Sequence, residues 1–87
     1  MENEATLVNQ GSEAETLLGT EAFTRTINAL VDSTVQAFLS SAPDESIKRE
    51  EAYNHYRAVS DVVNTLRQQV EVRDQISAKV TKKQEEE

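Results

Sequence analysis

His55 is the only histidine in the chain, and Glu51 precedes it by four residues, so a helix would put both on one face. That spacing invites a proton-transfer pair, a carboxylate aligning an imidazole. The surroundings argue against it. Zinc ligation would have to rely on carboxylates almost alone, because no second histidine and no cysteine is present. The helical di-iron pattern requires Glu-x-x-His on two helices, whereas here the spacing is four and the motif single. No Gly-x-Ser-x-Gly elbow is present to expose a serine nucleophile. The two glycines, Gly11 and Gly19, lie too far apart to cradle a phosphate. The expectation is therefore a non-enzyme with no catalytic residue, no metal and no cofactor, in which His55 and Glu51 form an exposed helical pair beside two partly buried tyrosines, Tyr53 and Tyr56.

The other charged groups point the same way. Lys79, Lys82 and Lys83 are diluted by Glu85, Glu86 and Glu87 and have no aromatic residues beside them to stack on bases. They fit the end of a helix, where cations offset the dipole. Across the 87 residues the net charge is −7, which disfavours phosphate backbones and anionic lipid. The charge is unevenly spread. Residues 1–47 hold eight acids against Arg25 alone, and residues 48–87 hold eight acids and eight bases. The second half can lie against the first without net repulsion.

The elements that must carry these groups are helices. Ser12 followed by Glu15 fits a capping box and predicts a short helical turn over about 12–18, through Leu17 and Leu18. Residues 1–11, poor in apolar side chains and ending in Gly11, are expected as a flexible arm. From 21 to about 41, Phe23, Ile27, Leu30, Thr34, Ala37 or Phe38, and Ser41 recur at threes and fours, with Val31 and Val35 widening the stripe. Pro43, the only proline, turns the chain. Ala42 before it is driven from the α region, and Pro43 itself suits the first turn of a new helix, capped by Ser41 or Ala42. That helix is expected over about 44–80, with Ala52, Tyr56, Val59, Val63, Leu66, Val70 and Arg73 at alternating fours and threes, the spacing of a coiled-coil seam. Residues 82–87 are expected to form a frayed acidic tail.

The fold class is thus all-α: an antiparallel two-helix hairpin over 12–81 with a short extra N-terminal helical turn, suited to assembly into a helical bundle. Its packing residues are Leu17, Leu18, Phe23, Ile27, Leu30 and Phe38 against Tyr56, Val59, Val63, Leu66 and Val70, and the fold places Phe23 near Val63. No apolar run approaches the roughly 20 residues that cross a bilayer, and the acidic start predicts no secretion signal. The outward side of the first long helix, with Thr24, Thr26, Asn28, Ser33, Gln36 and Ser40, is unusually poor in charge and suits a partner helix.

The segments Leu17–Phe23 ("LLGTEAF"), the Pro43 turn, Arg49–Tyr53 ("REEAY"), and Leu66 with Val70 resemble a group of small helical-hairpin proteins encoded by tailed bacteriophages. The likeness spans about residues 17–72. It implies a viral product made in a bacterium, located in the host cytoplasm or the virion, and carries no defined activity. Together with the thin apolar content, it leads to the expectation of a protein–protein interaction module. Such a module would act in phage assembly or in the virion, binding itself as a homo-oligomer or another phage or host protein. It would make no direct contact with nucleic acid, membrane or small-molecule substrate. The alternative is an acidic inhibitor whose carboxylates stand in for phosphates on a host DNA- or RNA-binding protein.

Overall fold

The computed structural model describes residues 3–86, and its described residues form three helices: α1 (Glu4–Leu18), α2 (Glu21–Leu39) and α3 (Ser46–Glu86). The all-helical class follows the sequence pattern. The first helix does not. It runs for 15 residues where one short turn was expected, and residues 4–11, expected as a flexible arm, form its first half. Residues 1 and 2 of that arm, like residue 87 of the expected tail, lie outside the described residues.

The early start has a local cause. Asn3 is extended, and its side-chain oxygen accepts from the Thr6 N–H at 2.9 Å, satisfying a donor that the first turn leaves open. Ser12 is therefore interior to α1 rather than its cap, and its carbonyl accepts from the Thr16 hydroxyl at 3.0 Å. The helix ends at Gly19, whose N–H donates to the Glu15 carbonyl at 3.0 Å. Thr20 is extended and opens α2, its carbonyl accepting from the Thr24 N–H.

The connection from α2 to α3 is residues 40–45. Both helices stop short of the expected bounds: α2 ends at Leu39 rather than near Ser41, and α3 begins at Ser46 rather than Asp44. Pro43 lies in the turn itself, not in the first turn of α3. Side chains replace the missing helical bonds. The Glu45 carboxylate accepts from the Ala42 N–H at 2.7 Å. The Arg49 guanidinium donates to the Ala42 carbonyl at 2.7 Å, the Ser41 hydroxyl at 3.3 Å and the Pro43 carbonyl at 3.3 Å. One arginine thus collects acceptors that a chain leaving a helix would otherwise present to water. At the far end α3 stays helical through residues 82–86, where a frayed tail was expected; Lys83 lies in its last turn, complementing the dipole.

The chain divides into two compact units. One holds α1 with the part of α3 from Asn64 onward, and the other holds Thr20–Val63, with α2 and the first part of α3.

Candidate protein-interaction face

In the first unit α1 and α3 touch through small side chains. Gly11 and Ala14 are buried, Ala14 to 3% exposure. A Cβ at position 11 would collide with the Arg73 Cβ and come within 2.7 Å of the Gln69 carbonyl oxygen. Only glycine lets the two backbones approach this closely. Leu7 and Gln10 line one shallow hollow with Gln68, Gln69 and Val72, and Leu17 lines another with Leu66, so the two segments run in opposite directions. Arg73 closes the contact with a fork to Glu15, Nη1 to Oε1 at 3.2 Å and Nη2 to Oε2 at 2.9 Å, while its Nε and Nη2 also donate to Asp74. Hydrogen bonding and the adjacent positive charge hold the Glu15 carboxyl below the usual carboxylate range, and the fork raises Arg73 further above its already high value.

The second unit is built differently. α2 has no buried residue, and in this unit only Ala52, at 7% exposure, is a buried hydrophobic. The half-buried positions of α2 are Phe23, Ile27, Val31, Thr34 and Ala37. Expected packing residues Leu30 and Phe38 are exposed instead, because the seam passes through their neighbours Val31 and Ala37. On α3, Val59 and Val63 are half-buried as spaced, and so are Leu66, Val70 and Arg73 beyond them in the first unit. Tyr56 lies in the same series yet remains exposed, as does Tyr53, which corrects the reading of both as partly buried. Leu18 is half-buried and Leu17 exposed.

Thr34, Val35 and Phe38 of α2 and Ala52, Tyr53 and Tyr56 of α3 line an almost wholly apolar groove of about 140 Å³. Among the described residues ten large hydrophobic side chains are exposed. Leu17 and Val80 lie in the first unit, and the other eight, including Leu30, Val35, Phe38, Leu39, Tyr53 and Tyr56, lie in the second. Apolar area is thus concentrated where packing is loosest, the arrangement expected of a surface that meets another protein.

His55 and Glu51 are both exposed. Among the described residues no group of three or more His, Cys, Asp or Glu side chains is placed to hold a metal ion. No helix there is long and apolar enough to cross a membrane. Sequence reasoning missed Gly11 and Ala14 as packing residues, the Glu15–Arg73 fork and the Arg49 clasp. One signal was available for α1: Leu7, Gly11, Ala14 and Leu18 are spaced four, three and four. No protein-family model, curated protein or solved structure matches the chain.

Proposed function

We propose that the protein is a non-enzymatic interaction module that works through helix packing, with α2 and the start of α3 turned into an antiparallel hairpin at Pro43. The observation that carries this reading is the groove of Val35, Phe38, Tyr53 and Tyr56, apolar and open on a helix pair that buries only Ala52. Such side chains release ordered water when a partner covers them, and that supplies the driving force for association. The acid-rich surface elsewhere keeps the free chain soluble. The resemblance to small phage proteins suits a role in virion assembly, with the protein itself or another phage or host protein as partner.

Retention of partners by the immobilised full-length protein, compared with its Phe38→Asp variant, tests the reading. A defined protein, or a second copy of this chain, should be retained by the wild type and lost with the variant. Equal retention by both, or retention of nothing by the wild type, overturns it.

A further inference from the structure

We infer that the groove's partner is a second copy of this chain, in a two-fold dimer whose α2 helices each lie over the groove of the other. This inference rests on the interaction reading above and names the occupant of the same face.

The apolar stripe of α2 is wider than one neighbour requires. Phe23, Ile27, Val31, Thr34 and Ala37 follow the seam against α3, while Val35 and Phe38, three apart, add an exposed line beside it. A helix with a single neighbour needs a stripe about 100° wide, and an added line serves a second neighbour. Within its unit α2 has α3 alone. On α3, Tyr53 and Tyr56 continue the second line, so two helical edges form a trough that takes side chains projecting from a facing helix.

Charge selects the occupant. The chain as a whole carries −7, so most ways of bringing two copies together are repulsive. α2 is the exception: its 19 residues include only Glu21, Arg25 and Asp32 as charged groups. Two copies meeting through α2 put nearly neutral surfaces together, and each supplies the apolar side chains that the other's trough accepts.

The area agrees. Val35, Phe38, Leu39, Tyr53 and Tyr56 are between 43% and 70% exposed. An aromatic side chain buries roughly 150–250 Å², so these five offer about 500 Å² per copy. A two-fold interface uses the same patch twice. The sum is about 1,000 Å² when all of it is covered, at the floor for a specific interface, so the dimer is a weak, concentration-dependent one.

Sedimentation velocity of the full chain, from roughly 1 µM to 1 mM, tests the inference. The expected result is a monomer–dimer equilibrium that added salt does not weaken, because burial of apolar surface drives it. Phe38→Asp should weaken dimerisation at least tenfold. Val35→Lys, at the groove's edge, should do the same with helix content by circular dichroism unchanged. Val80→Lys, at an exposed apolar position of the other unit, should leave it as it was. A monomer throughout the range, a trimer or larger species, or equal weakening by Val80→Lys overturns the dimer. If the monomer still retains a different protein in a Phe38-dependent way, the dimer falls while the interaction reading stands. If it retains nothing, both fall.

Discussion

The two units solve one problem, how to hold a helix against α3, in opposite ways. α1 lies close because Gly11 and Ala14 have almost no side chain, and the Glu15–Arg73 fork seals the contact. α2 carries larger side chains, and none of its own residues is buried. Small residues close a seam, whereas bulky ones on a single pair of helices prop it open and leave rings facing water. The closed seam spends its surface on the fold. The open one leaves apolar surface facing water.

The comparison breaks first at its tightest point. Gly11→Leu should force α1 from α3, costing about 2–3 kcal/mol in urea unfolding and removing amide-exchange protection from α1. Ala52→Leu, the matched overpacking of the other unit, should cost less than about 1 kcal/mol, because Ala52 borders an open groove that can take the added carbons. Equal costs would show the two seams to be alike.

Arg49→Met comes next. It keeps much of the aliphatic stem but removes the donors to Ser41, Ala42 and Pro43. We expect a loss of about 1 kcal/mol in thermal unfolding, with exchange rising around the turn and not in α1.

The smallest effect concerns pH. The folded Glu15 carboxyl titrates below its unfolded counterpart. Its contribution is therefore fully present above the ordinary carboxylate range and is lost as pH falls through the lowered folded value. Between neutral pH and roughly pH 3, the wild type should lose slightly more thermal stability than Glu15→Gln. Identical pH profiles would mean that the exposed carboxylate gains nothing from its fork.

These contrasts also explain what the sequence could disclose. The α3 series Val59, Val63, Leu66, Val70 was readable because side chains of that size announce a seam by periodicity. α1 was hidden because its contact depends on the absence of side chains, and Gly11 among Asn9, Gln10 and Ser12 resembles a linker. On α2 the helix was evident but not its rotation: the stripe is wide enough that Leu30 or Val31, and Ala37 or Phe38, fit the spacing equally. Only the position of α3 decides between them. The groove arises from that same ambiguity, since the residues rejected by the seam are those left in the open.

Gly11 also sets an order of events. A glycine at mid-helix costs about 1 kcal/mol relative to alanine, and an isolated 15-mer is barely helical to begin with. α1 therefore coils only once it has its dock, and the fork that fastens it joins residues 58 positions apart. During synthesis the segment leaves the ribosome long before Gln69 and Arg73 exist. Its helix is completed only when they emerge, so α1 is made before, and takes its shape after, the part of α3 that holds it.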